Sequence, residues 1–183
     1  DVAAVVRGLE LKRVVLVGHS MGGSVVLAAA SKLRGIVQGI VAVDSVHNVE
    51  YVAPPDATAR FIKRFEDDFE GARTRFMSGF FADRDSKILK SILQDTSKTD
   101  PKTAVQLLAD YNRYDLKAAL PAAGVPVRAI NAADPYPTAI ETNRKYGDSN
   151  AVLMKGVGHF LMLQKPNEFN RHLRNMIDQM SKR

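Results

Sequence analysis

Residues 14–30, VVLVGHSMGGSVVLAAA, limit the possible folds more tightly than any other stretch of the chain. A β-branched apolar run stops at Gly18, Ser20 follows between His19 and Met21, and Gly22 and Gly23 lead into a run of small and apolar residues. The chain must pass from strand to helix in a very short turn with Ser20 at its apex. A turn this sharp holds its serine in a strained backbone geometry and keeps the hydroxyl out of the packing. Gly18 and Gly22 are expected where a Cβ would collide. Gly23, Ser24 and the alanines from Ala28 to Ala30 let the helix lie close on its neighbours, and its first amides face any negative charge that develops beside Ser20.

A run that is apolar on both faces marks a parallel strand covered by helices above and below. The 14–17 run is one, and GIVAV at 39–43, VPVRAI at 125–130 and AVLM at 151–154 repeat the pattern. Each is reached through helical sequence, which implies crossover connections and an alternating α/β architecture. The first ten residues place Val2, Val5, Val6 and Leu9 on one helical stripe. Pro137 and Pro166 are expected in first helical turns, the second followed by a helix whose inner face is Phe169, Leu173, Met176 and Ile177.

Residues 53–120 behave differently. They hold no β-type run, are charged and helical in pattern, and offer Asp100 as an N-cap with Pro101 as the first helical residue. The expected organisation is therefore a core from 1–52 and 121–183 interrupted by a helical insertion at 53–120. Phe61, Phe65 and Phe69 recur every four residues, with Phe76, Phe80 and Phe81 beyond. This stripe is expected to pack the insertion against the core, with a ligand pocket as the alternative. Glu66, Asp67 and Asp68 are adjacent and cannot converge on a metal from one helix, so they are expected on its solvated side.

A chain of 183 residues can bury on the order of 70% of its unfolded surface. No apolar stretch is long enough to cross a bilayer, and none has the succession of a signal peptide. There is no cysteine, which removes disulfides and thiolate metal sites. The net charge of +6 comes from lysines and arginines spread among acids along the chain. No cluster is interleaved with exposed aromatics, so a solvated basic surface is expected and a nucleic-acid partner is not.

Ligands in open parallel sheets bind beyond the carboxyl ends of the strands. All four expected strands end in reactive residues: Ser20, Asp44, Asp134 and His159, in chain order. Serine becomes a useful nucleophile when a base takes its proton and an acid fixes that base. The GHSMGG turn between strand and helix, together with GVGHFLMLQKPNEFN around His159, resembles the nucleophile elbow and histidine loop of the α/β-hydrolase family, whose triads run in this chain order.

The resemblance implies a three-layer α/β-hydrolase fold, a parallel sheet with helices on both faces and residues 53–120 as a helical cap. It implies Ser20 as nucleophile, His159 as general base and the backbone amide of Met21 as an oxyanion donor. For the acid, NAADPYP from Asn131 matches the family's GxxD pattern with asparagine in place of glycine, so Asp134 is preferred and Asp44 is the alternative. His19 is expected to pack or line the site, His172 to belong to the last helix, and His47 to be the one further histidine within reach of substrate. The implied reaction is two-step hydrolysis of a carboxylic ester or similar small acyl substrate, with no cofactor and no metal. The same fold also serves carbon–carbon bond hydrolases, acyltransferases and non-catalytic binding modules. The chain corresponds to the family's C-terminal two-thirds, so the N-terminal strands are expected to be missing, along with the loop that supplies a second oxyanion donor. On that expectation the 14–17 strand is an unpaired edge and the polypeptide by itself is weakly active or inactive.

Overall fold

The computed structural model of the chain describes residues 1–81, 83 and 86–182. It divides into two compact units, one formed by Asp1–Tyr51 with the segment from Asp115 onward, the other by Val52–Tyr114.

In the first unit, α1 (Val2–Gly8), β1 (Val14–His19), α2 (Met21–Ser31) and β2 (Val37–Val43) come first. The second unit follows with α3 (Pro55–Asp67), α4 (Phe69–Ser78), α5 (Lys87–Thr96) and α6 (Pro101–Arg113). The chain then returns through α7 (Leu116–Ala122), β3 (Val127–Ala132), α8 (Ile140–Arg144), β4 (Ser149–Met154), α9 (Leu161–Gln164) and α10 (Pro166–Ser181). The four strands are parallel in the order β1-β2-β3-β4. Leu16 pairs with Ile40, Val41 with Arg128, and Ile130 with Val152.

The alternation of side chains along β2 shows why both faces had to be apolar. Ile40 and Ala42 join Leu16, Ala129 and the helical residues Val6, Leu27, Ala30 and Leu120 in one buried cluster. Val41 and Val43 point the other way and pack with Ile130, Met154, Phe169, Met176 and Met180. Helices thus cover both faces and make three layers. Each valine, leucine, isoleucine, phenylalanine or methionine among them contributes about 1.5–3 kcal/mol on removal from water. Helix α10 comes so close to β2 that a Cβ on Gly39 would run into the Met180 sulfur. β1 pairs with β2 on one side and lies at the edge of the described sheet, with Val17 45% exposed.

Several local expectations need correction. Val5 on α1 and Leu9 just past its end are 57% and 66% exposed, and it is Val6, with Val2 and Ala3 beside it, that faces the core. The helix near Pro137 starts later, at Ile140, because residues 135–139 are taken up in a loop. Helix α7, placed by sequence within the insertion, packs on α2 in the sheet unit, so the returning boundary falls at Asp115. Asp115 itself N-caps α7, accepting the Ala118 amide.

The second unit is built as its caps dictate. Asp100 accepts the amide and hydroxyl of Thr103 in front of Pro101, and Asp68 accepts the Gly71 amide. Phe61, Phe65, Phe69, Phe76 and Phe80 pack edge to face on one another, with centroid separations of 5.0–6.2 Å, which gives this unit its own aromatic core. Glu66, Asp67 and Asp68 are exposed, and no metal-binding cluster occurs among the described residues.

Candidate active site

Ser20 sits between β1 and α2 at φ 55°, ψ −122°. For a residue with a Cβ this is a costly conformation, of order 1–3 kcal/mol, held only when its surroundings over-determine it. They do so here. The Ser20 amide continues the strand ladder to the Val43 carbonyl at 2.9 Å, and its carbonyl accepts from the Gly23 amide at 2.9 Å and the Ser45 hydroxyl at 2.8 Å. Gly18 is required as expected, since a Cβ there would strike the Gly22 carbonyl. Gly22 is not: a Cβ at that position meets open space, whereas one on Gly23 would strike the Ser45 hydroxyl. The amide of Met21 opens α2, where the first N–H groups have no partner within the helix.

The structure brings Asp44, not Asp134, to His159. His159 Nδ1 donates to Asp44 Oδ2 at 2.6 Å, with Asp44 6% exposed and the imidazole 13% exposed. Asp44 directly continues β2. Its amide bonds the Ile130 carbonyl at 2.9 Å, and its Oδ1 accepts the Ala132 amide at 2.8 Å, so the end of β3 fixes the carboxylate. Asp134 lies two residues beyond the end of β3, exposed in the loop that follows. Asn131 occupies the glycine position of the expected GxxD pattern. It is fully buried and uses its carboxamide on Ser45, accepting the Ser45 amide and donating to the Ser45 carbonyl, both at 3.1 Å.

That clamp explains how the loop after β2 tolerates two non-glycine residues at positive φ, Asp44 at 42° and Val46 at 54°. A second buried carboxamide completes it: Asn143 accepts the Val49 amide at 3.0 Å and donates to the Val46 carbonyl at 2.8 Å. Neither asparagine was a site candidate from sequence. The signal available was Asn131 itself, a polar residue set between Ala129, Ile130 and Ala132.

The other histidines take distinct places. His19 donates from Nε2 to the His159 carbonyl at 2.8 Å and packs against the His159 ring, tilted by 42° at a centroid distance of 4.6 Å. His47 Nε2 approaches Asp44 Oδ1 at 3.7 Å, and its Nδ1 faces the Thr138 hydroxyl at 3.3 Å. His172 lies on α10 near Glu168. The loop carrying His159 is anchored by the Gly158 amide, which donates to Gln164 Oε1 at 2.6 Å.

Burial pushes the Asp44 carboxyl up, but the hydrogen bonds from His159 and the Ala132 amide and the nearby His47 and His159 charges outweigh it and hold the group below the usual carboxylate value. Burial lowers His19, with the bond to the His159 carbonyl opposing. Burial also lowers His47, against the pull of Asp44. Burial therefore favours the neutral forms of His19 and His47 beside this carboxylate.

A sequence profile described as the alpha/beta hydrolase family matches residues 1–172. The chain belongs to the alpha/beta hydrolase family. Its entire length aligns at 25% identity, over 196 positions, with a pimeloyl-[acyl-carrier protein] methyl ester esterase of Yersinia pseudotuberculosis serotype O:1b, covering 76% of that protein. Among solved structures, a bromoperoxidase from Bacillus anthracis shares the fold at a TM-score of 0.82 and 22% identity, over 97% of this chain and 71% of that one. A thermophilic esterase from Thermogutta terrifontis matches at 0.80 and 21% identity, over 98% of this chain and 70% of its own. These structural likenesses are of fold. With the family match they place the four-stranded parallel sheet within the alpha/beta-hydrolase fold. No helix among the described residues is long and apolar enough to cross a membrane.

Proposed function

We propose that the chain is a serine hydrolase of carboxylic esters in which Ser20 is the nucleophile, His159 the general base and Asp44 the acid that orients it. The observation that carries this reading is the 2.6 Å bond from His159 Nδ1 to the buried Asp44 carboxylate. It leaves Nε2 as the basic nitrogen, the tautomer a serine base needs. The strained φ of Ser20 adds support, because a turn of this kind presents its hydroxyl to a ligand.

In the first half-reaction the Ser20 hydroxyl attacks the ester carbonyl as its proton passes to His159 Nε2. The tetrahedral oxyanion faces the Met21 amide at the start of α2, and His159 returns the proton to the departing alkoxide. Water then attacks the acyl-serine by the same proton route, releasing the carboxylic acid. The relative acting on a methyl ester of an acyl chain makes small esters of aliphatic acids the first substrates to try.

The test is labelling with a fluorophosphonate, which reacts with activated serines. The expected result is one label per chain on Ser20, abolished by Ser20→Ala and by unfolding. A folded wild-type protein that takes up no label overturns the reading and leaves a hydrolase-fold binding module.

A further inference from the structure

Ser45 stands beside the proposed acid yet makes its hydroxyl bond to the nucleophile. It is buried, at 5% exposure, and its Oγ donates to the Ser20 carbonyl at 2.8 Å. A trans peptide is planar, with its N–H pointing opposite to its C=O. Whatever fixes the Ser20 carbonyl therefore fixes the Met21 N–H in the same peptide unit. A hydrogen bond accepted by the carbonyl also polarises the unit and strengthens the N–H as a donor.

We propose that Ser45 is a positioning residue for the oxyanion site: by holding the Ser20 carbonyl it aims the Met21 amide at the developing oxyanion and couples that amide to the loop carrying Asp44. Resting on the serine-hydrolase reading above, the role adds a residue that touches neither substrate nor the proton path. The mechanical chain is continuous. Asn131 grips both backbone groups of Ser45, Ser45 grips the Ser20 carbonyl, and Gly23 lacks the Cβ that would displace the Ser45 hydroxyl. Through Ser45 and Asn131 the Met21 amide is thereby tied to β3, the strand whose end also holds Asp44. Oxyanion stabilisation operates in the transition state, so disturbing this chain should slow turnover without weakening substrate binding.

The experiment compares Ser45→Ala, Ser45→Thr and Gly23→Ala with the wild type by p-nitrophenyl butyrate hydrolysis, fluorophosphonate labelling rate and the amide proton shift of Met21. Ser45→Ala should lower kcat and the labelling rate about tenfold or more, leave KM within about twofold and move the Met21 amide proton upfield. Ser45→Thr, which keeps a hydroxyl, should restore most of the rate and the shift. Gly23→Ala should reproduce the loss from the opposite side and add little to it in the Ser45→Ala background. A folded Ser45→Ala protein that labels as fast as wild type overturns the role of Ser45 alone, even if the Met21 shift moves. A wild type that does not label at all overturns the serine-hydrolase reading, and the role with it. A rate loss in Ser45→Ala explained wholly by a raised KM also overturns the proposal.

Discussion

Asp44 and His159 are 115 residues apart in the chain and joined at 2.6 Å, through the end of one parallel strand and the loop beyond another. The contact is rigid because Asp44 is held twice by β3, through the Ile130 carbonyl and the Ala132 amide.

The first consequence concerns activity. Asp44→Asn should reduce kcat/KM by about 10⁴, the scale on which an asparagine in place of a triad acid stabilises the wrong imidazole tautomer. Asp134→Asn should stay within about threefold of wild type. Steady-state ester hydrolysis by the two purified variants, with folding checked by circular dichroism, measures both.

Acid stability should depend on the same carboxylate. Its folded pKa is depressed, so the stability it contributes is present in full above the unfolded value of about 4 and is lost as pH falls through the folded value below that. His19 and His47 are depressed by burial, so their contribution is present above about 6.5 and is lost as pH falls below it. Urea midpoints should therefore decline in two stages on acidification. His47→Gln should flatten the upper stage, and Asp44→Asn the lower. An unchanged pH profile in both variants would count against the electrostatic picture.

Removing the clamp should cost stability. Asn131→Ala leaves the buried amide and carbonyl of Ser45 without partners, a loss of about 3 kcal/mol. Thermal or urea denaturation reads it directly, and a change under about 1 kcal/mol would show that water replaces the carboxamide.

Two glycines should separate by what their Cβ meets. Gly18→Ala drives a methyl into the Gly22 backbone, whereas Gly39→Ala meets the flexible end of Met180. Gly18→Ala should be the more damaging, by about 1–3 kcal/mol. The Gly39→Ala loss should shrink when Met180 is shortened to Leu. Equal losses would contradict the close packing described for the turn.

The four strands and the serine turn could be read from residue order because their cause is local. Continuous apolar runs need helices on both faces, and a glycine-bounded serine between strand and helix needs a tight turn. The Phe61–Phe80 stripe was visible for the same reason, although its spacing could not say that the rings would pack on one another. The choice between Asp44 and Asp134 depended on non-local facts. Asp44 continues the ladder beside β3, while Asp134 falls in an exposed loop, and strand ends in sequence do not reveal which carboxylate is buried. Ser45 was hidden by its context: next to an aspartate and ahead of His47, it reads as loop polarity until its hydroxyl is found on Ser20.

The most direct test of the Asp44–His159 pairing is the low-field proton NMR resonance of the His159 Nδ1–H, shifted downfield by the carboxylate that accepts it. The resonance should be present in wild type and in Asp134→Asn and absent from folded Asp44→Asn. Its survival in Asp44→Asn together with its loss in Asp134→Asn would contradict the pairing and return the acid to the loop after β3.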